Sequence, residues 1–259
     1  MISFFYRRWY EYNFLFEELV KRDFNKKYKK TFLGIAWSML APLFQLLVMS
    51  IIFMHFFGSD IPHFVIYVFI GLTLYGFFKE STSQGMQSLV ANSSIISKVK
   101  VPKYIFLLSK NVASLLNFGL MLIILFFFAA IDGVQFQWQF IFLLYPIVTL
   151  VIFNVGVGLV LSALFVFFKD VQYLYDILTL LIMWMSAIFY SIETFSPMVQ
   201  RLFLLNPVFA HIHYFRLVIL HATIPAWHIH LACGLAAALS LVFGAYFYKR
   251  YNFRFIYYM

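Results

Sequence analysis

Residues 4–30, FFYRRWYEYNFLFEELVKRDFNKKYKK, run directly into residues 32–57, FLGIAWSMLAPLFQLLVMSIIFMHFF. The first stretch places Phe5, Trp9, Tyr12, Phe16, Leu19 and Val20 at three- and four-residue spacing, a single helical stripe with the charges mostly off it. Arg7–Glu11, Glu17–Lys21 and Glu18–Arg22 stand at i, i+4, where opposite charges support a surface helix. The second stretch is long enough to cross a bilayer, which takes about 20 apolar residues. It is interrupted only by Pro42 and Gln45, and a bundled helix tolerates such a proline when its neighbours satisfy the freed carbonyl. A helix that lies on a membrane, joined to one that crosses it, is the signature of an integral membrane protein with an interfacial entry.

Composition agrees. The chain is 64% hydrophobic and 11% charged, against about 25% charged in ordinary globular domains. The net charge of +9 does not indicate nucleic-acid binding, because the basic residues sit at helix borders, where topology and anionic lipid account for them. The one cysteine, Cys233, lies in an apolar run, so neither a disulfide framework nor a Cys-based zinc site is available. Residues 1–31 are charged throughout, unlike a cleavable signal peptide.

Six spans are expected, at about 32–57, 64–90, 105–130, 139–167, 175–192 and 228–248, which makes the fold an all-α membrane protein. Basic residues collect at 1–31 (Arg7, Arg8, Lys21, Arg22, Lys26, Lys27, Lys29, Lys30), at 91–104 (Lys98, Lys100, Lys103), at Lys169 and in the tail (Lys249, Arg250, Arg254). The opposite loops, 58–63, 131–138 and 193–227, carry only Arg201 and Arg216, so both termini are expected in the cytoplasm. Within 193–227, the stretches 198–205 and 208–221 are divided by Asn206-Pro207, and each is too short to span. They read as a re-entrant helix pair between spans five and six, or as a cap lying on the outer surface.

Several residues carry candidate chemistry. Lys26, Lys27, Lys29 and Lys30, with Arg7 and Arg8, form a basic border that serves either as a lipid anchor or as a collection point for a phosphate-bearing headgroup. Lys79 and Glu80 stand near the middle of span two, where ionisable groups are expensive. With Ser83, Gln84 and Gln87 they make a polar stripe that either lines a hydrophilic path or is satisfied by neighbouring helices. His211/His213 and His228/His230 are His-x-His pairs. On a helix, residues two apart point about 200° apart, so no chelate and no metal site is expected. There is no His-Glu-x-x-His, no Gly-x-Ser-x-Gly and no carboxylate cluster, which argues against an enzyme. None of the eleven glycines precedes a lysine, so there is no phosphate-binding loop, and ATP must be bound by another chain if it drives this one. Loop 92–103, with Asn92, Ser93, Ile95, Ile96, Lys98, Val99 and Lys100, offers a short helix before Pro102 that can dock into such a partner.

The order Arg22-Asp23, Tyr28-Lys29, Leu33-Gly34, Trp37 and Pro42 resembles the entry to the first span of ABC-2 type permeases that export polysaccharides and polyol phosphates. Ile96 to Pro102, Phe167-Phe168-Lys169-Asp170-Val171, Asn206-Pro207 and Phe215-Arg216 continue the resemblance in order along nearly the whole chain. It implies a type V exporter fold, with 1–31 as interfacial helix and linker and 32–259 as transmembrane domain. It also implies a homodimer paired with two ATP-binding subunits, which hold ATP and Mg, while this chain carries no cofactor. The implied cargo is an undecaprenyl-diphosphate-linked glycan, such as O antigen, teichoic acid or capsule, moved across the bacterial cytoplasmic membrane. In that setting 92–103 is the coupling loop, the re-entrant pair closes the outer side, and Trp37, Phe44, Phe78, Trp184, Phe189 and Tyr190 offer sugar-stacking faces along the path with Lys79, Glu80 and Gln84. At Lys79-Glu80 the chain departs from the small or neutral residues usual in the family. Rival readings are a drug or small-lipid ABC-2 exporter, and a membrane enzyme or scaffold acting on lipid-linked sugars.

Overall fold

The computed structural model describes residues 2–28, 37, 40, 43–48, 51–52, 61–99, 101–193 and 195–258, with side chains for the same residues except 2–11, 26–28 and 256. Among these residues all regular structure is helical. The order is α1 (Ile2–Tyr28), α2 (Phe64–Gln87), a tight turn at Val90–Asn92 leading into α3 (Ser93–Ile96), then α4 (Tyr104–Ile131). A 3-10 turn, Trp138–Leu143, runs into α5 (Leu144–Phe167). There follow α6 (Val171–Met185), α7 (Pro197–Phe203), α8 (Pro207–His221), α9 (Trp227–Tyr251) and α10 (Phe255–Tyr258).

Four of these are long and apolar enough to cross a bilayer: α2, α4, Trp138–Phe167 and α9. The pair α7–α8, bent by 108°, makes up to five if taken as one broken span. The expected first span, 32–57, lies mostly outside the described residues, within which 43–48 and 51–52 are helical. The expected fifth span, 175–192, is corrected. It begins earlier and stops at Met185, and its 15 residues reach only about 22 Å at 1.5 Å each, short of the roughly 30 Å hydrocarbon core. The helix stops because Ala187 turns to φ 46° and the chain from Ser186 to Phe189 dives into the core.

α2 is the central element. Phe69, Ile70, Leu74, Phe77 and Phe78 are buried, with Phe77 stacked on Phe118 of α4 (4.6 Å between ring centres) and Phe78 on Phe153 of α5 (5.9 Å). Tyr75 Oη donates to the Thr179 carbonyl at 2.8 Å, and Tyr175 Oη to Thr82 Oγ1, which tie α6 to α2 through polar bonds inside an apolar packing. α5 and α9 cross backbone against backbone at Gly156 and Gly244. A Cβ on Gly156 would strike the Ser240 and Leu241 backbone, and one on Gly244 the Gly156 carbonyl. Small residues permit such a close approach, and dispersion across it is the binding force where lipid removes a hydrophobic one.

At the basic end of the bundle, Tyr12, Leu15, Phe16 and Leu19 of α1 pack among Leu89, Ile96, Ile105, Phe106 and Leu159. The stripe read from sequence therefore meets protein along its described part. Of its i, i+4 charge pairs, Arg7–Glu11 lies outside the described side chains, and the other two differ from expectation: Lys21 bonds Glu18 (3.0 Å), Asn13 bonds Glu17 (3.2 Å), and Arg22 turns away to Asp23.

Gly244→Ala is expected to lower the apparent Tm of the detergent-purified protein, since overpacking of this kind costs about 1–3 kcal/mol or more against rigid backbone. Gly119→Ala on α4, where an added Cβ meets nothing within 4 Å, should leave Tm unchanged or slightly raised. Equal shifts for the two would refute the backbone contact.

Candidate functional site: the polar face of α2 and its anchors

The second half of α2 holds Lys79 through Gln84 and Gln87, an unusual load of polar groups for a spanning helix. The helical turn divides them. Ser81 and Thr82 are fully buried and structural: Ser81 Oγ bonds Asn111 Oδ1, and Thr82 Oγ1 donates to the Phe78 carbonyl at 2.6 Å. Gly76, Lys79 and Gln87 are exposed, with Glu80, Ser83 and Gln84 half-buried between them. Both readings of the stripe thus meet in one helix: its inner polar groups are satisfied by neighbours, and its outer ones face out.

Glu80 is the centre of this face. Its Oε1 accepts from Asn117 Nδ2 of α4 at 2.9 Å and from Gln84 Nε2 at 3.0 Å. Beside it a cavity of about 140 Å³ is lined by Gln45, Thr73, Gly76, Ser114 and Asn117, with Phe69, Phe77 and Phe118 as apolar walls. Thr73 Oγ1 and Ser114 Oγ are buried there without a hydrogen-bond partner among the described residues. A carboxylate, an amide and two open hydroxyls around one small space can hydrogen-bond water or a polar ligand inside the bilayer. Asn117 and Ser114 were not singled out from sequence. The signal was present, because Lys110, Asn111, Ser114 and Asn117 recur at helical spacing along one side of an apolar run.

The aromatic candidates separate. Trp37, Phe44 and Trp184 are exposed, and Tyr190 is half-buried, its Oη donating to the Trp184 carbonyl at 2.8 Å. Phe78 and Phe189 are each 2% exposed and belong to the core, which corrects their assignment to an open path surface. The side chains of Arg7, Arg8, Lys26 and Lys27, and all of Lys29, Lys30 and Lys100, lie outside the described residues.

At the basic end, Asp23 accepts from Arg22 (Nη2 2.8 Å, Nε 3.0 Å) and pairs with Lys110 Nζ at 3.0 Å. Arg22 Nη2 reaches on to Asn92 Oδ1 at 2.9 Å, and Asn92 Nδ2 donates to the Ser88 carbonyl at 2.7 Å. Through these bonds α1, the loop after α2 and α4 share one buried carboxylate. Within the loop, Asn92 and Ile96 are buried and fix it to the body, Ser93 and Ile95 are half-buried, and Lys98 and Val99 are exposed. The docking set read from sequence therefore divides into two anchors and an outward face.

The opposite end has its own anchors. Arg216 of α8 is 4% exposed, and its guanidinium donates to the carbonyls of Ala187 (2.9 Å), Ile188 (3.0 Å) and Tyr67 (3.2 Å) while lying 3.3 Å over the Tyr67 ring. Asn206 caps α8, accepting from Val208 N at 3.1 Å, and donates to the Met185 carbonyl at 3.1 Å and to Ser186 Oγ at 3.0 Å. His211 is fully buried between the Pro207 carbonyl and Thr149 Oγ1, and His230 meets Tyr214 Oη at 2.9 Å. His63 Nδ1 and Asp132 Oδ2 stand 2.6 Å apart, joining the loops before α2 and after α4.

Comparison with known proteins matches residues 15–220 to the ABC-2 type transporter family. An O-antigen export system permease protein RfbA of Myxococcus xanthus is 28% identical over 206 residues, 78% of each chain. Two proteins of that name from Klebsiella pneumoniae are 24% and 23% identical, each covering 95% of this chain and 96% of their own.

Removing one partner of a buried ion pair leaves an uncompensated charge, at a cost of about 3–5 kcal/mol. Asp23→Ala is therefore expected to depress Tm strongly, and adding Lys110→Met to it should recover much of the loss. A double variant as unstable as the single one would show that the Asp23–Lys110 pair is not the source.

Proposed function

The chain belongs to the ABC-2 type transporter family, and from that premise we propose that it is the permease subunit of an ABC transporter that exports a lipid-linked polysaccharide of the O-antigen class. The observation that carries this reading is the half-open polar face of α2. Gly76, Lys79, Glu80 and Gln87 reach an outward surface, whereas the outward faces of α6 and α9 are strongly apolar at Tyr173, Leu174, Ile177, Leu181, Leu239, Val242 and Phe243. An exposed polar stripe inside a bilayer is tolerated only where water, cargo or a second protein surface covers it. The names of the relatives supply the cargo class.

In this reading two copies of the chain face each other across that stripe, with both termini in the cytoplasm and α1 at the inner-leaflet interface. ATP is bound and hydrolysed in partner subunits that seat on the outward face of α3 and on Lys98 and Val99. The diphosphate of the carrier lipid meets the basic border of Arg7, Arg8, Lys26, Lys27, Lys29 and Lys30, and the glycan passes along α2. There the cavity beside Glu80 and the exposed Trp37, Phe44 and Trp184 offer hydrogen-bonding and stacking partners for sugar hydroxyls and faces. The α7–α8 pair closes the far end.

The deciding experiment reconstitutes the chain with its ATP-binding partner and measures hydrolysis. Undecaprenyl-diphosphate-linked glycans should stimulate it severalfold and amphiphilic drugs should not, the reverse result identifying a drug exporter. No hydrolysis dependent on the chain would sink the transporter reading. Neutralising Lys26, Lys27, Lys29 and Lys30 together should slow export while co-purification with the partner persists; unchanged export removes their role with the headgroup.

A further inference from the structure

A second feature lies away from the α2 face, where α4, α5 and α9 leave an apolar groove of about 470 Å³ on the basic end of the bundle. Leu159, Leu241 and Ala245 line its apolar floor together with Leu107, Leu108 and Val155, Leu241 and Ala245 standing at its open side. Leu159, Leu241 and Ala245 lie about 9–15 Å inward from the ends of α5 and α9, at about 1.5 Å per residue, which is the depth of one leaflet of hydrocarbon. At its mouth stand two cations, Lys103 and Lys249. Lys103 donates one bond to the Asn252 carbonyl at 2.6 Å and lies 5.4 Å over the Phe255 ring, which holds the ammonium at the rim. Lys249 is exposed. Tyr248 lines the same groove at 7% exposure, and its hydroxyl has no hydrogen-bond partner among the described residues. A buried donor left open in apolar surroundings costs free energy that a bound acceptor restores.

An apolar channel one leaflet deep, two lysines at its head and one unspent hydroxyl within it match an anionic lipid in charge and polarity. We propose that this groove binds an anionic phospholipid, with one acyl chain against Leu159, Leu241 and Ala245, the phosphate between Lys103 and Lys249, and a glycerol or ester oxygen accepting from Tyr248. Zwitterionic lipids of the same chain length fill the apolar part equally well, but their own ammonium offsets the phosphate, so the two lysines gain no net counter-charge from them. Burial lowers the Lys103 ammonium from its ordinary pKa, a desolvation cost that the phosphate offsets. The site is separate from the α2 face and does not depend on what the protein exports.

The test is native mass spectrometry of the full-length chain in detergent, titrated with dioleoyl-phosphatidylglycerol or dioleoyl-phosphatidylcholine. The wild type should retain phosphatidylglycerol roughly thirtyfold better, as expected for two lysines at a lipid headgroup. Lys103→Gln with Lys249→Gln should abolish the preference, Tyr248→Phe should weaken retention of phosphatidylglycerol, and Ala245→Phe, which fills the groove and keeps both charges, should weaken retention of both lipids. Equal retention of the two lipids by the wild type overturns the proposal, as does an unchanged preference in the double lysine variant. Displacement of phosphatidylglycerol by an equal concentration of undecaprenyl phosphate overturns it in favour of a carrier-lipid site, and displacement by inorganic phosphate alone in favour of a simple anion site. Disulfide-linked dimers formed by Ala245→Cys would overturn it by assigning the groove to a second copy of the chain.

Discussion

A bilayer offers no water to an open carbonyl, so a membrane protein that breaks its helices must supply donors of its own. Arg216 does this here. One guanidinium satisfies carbonyls of Tyr67, Ala187 and Ile188, in the region where α6 has stopped and the chain turns inward, and its flat face rests on the Tyr67 ring. Gly71 is bare for the same reason: a Cβ there would meet Arg216 Nη2 at 3.2 Å and the Ile188 side chain at 2.9 Å. The planar fork makes several bonds from one fixed geometry, which an ammonium cannot reproduce. With Asn206 closing the end of α6 from the other side, the α7–α8 hairpin is held by side-chain amides and guanidine where no helix ladder exists.

Much of the architecture was legible because span length and apolarity are coarse quantities that survive the loss of detail. The helices at 64–87, 104–131, 138–167 and 227–251 lie within a few residues of the stretches read from hydropathy, and the division at Asn206-Pro207 is a real bend. The end of α6 was not legible. Leu180 through Phe189 are apolar but for Ser186, and no Gly, Pro or Asn in that run marks a helix stop. The stop is imposed by Arg216 and Asn206, which are distant in sequence and bind the carbonyls of Met185, Ala187 and Ile188, with Asn206 also reaching Ser186 Oγ. Phe78 and Phe189 failed as path residues for a related reason: in a chain with 35 phenylalanines, residue type does not say which face of a helix it occupies. The Lys79-Glu80 pair was visible as an anomaly, and its environment required knowing that Asn117 and Gln84 converge on the carboxylate.

The two ends of the molecule solve opposite problems with the same economy. At the end away from the basic residues a cation, Arg216, is buried among carbonyls; at the basic end a carboxylate, Asp23, is buried beside two cations. Arg22 is the link between them in the second case, because it bonds both Asp23 and the Asn92 side chain at the start of the loop. The Arg-Asp pair that marks the entry to the first span in sequence is therefore a joint among three chain segments, with its role set by Lys110 and Asn92 far along the chain.

The crossing of α5 and α9 has a mechanical meaning. Two helices separated by side chains can slide or roll as rotamers change, since interdigitated side chains act as a compliant layer. At Gly156 and Gly244 there is no such layer, and carbonyl rests against Cα. These helices form a stator with no shear plane at their crossing, whereas α6 and the broken α7–α8 pair are joined through side-chain hydrogen bonds that can be exchanged one at a time.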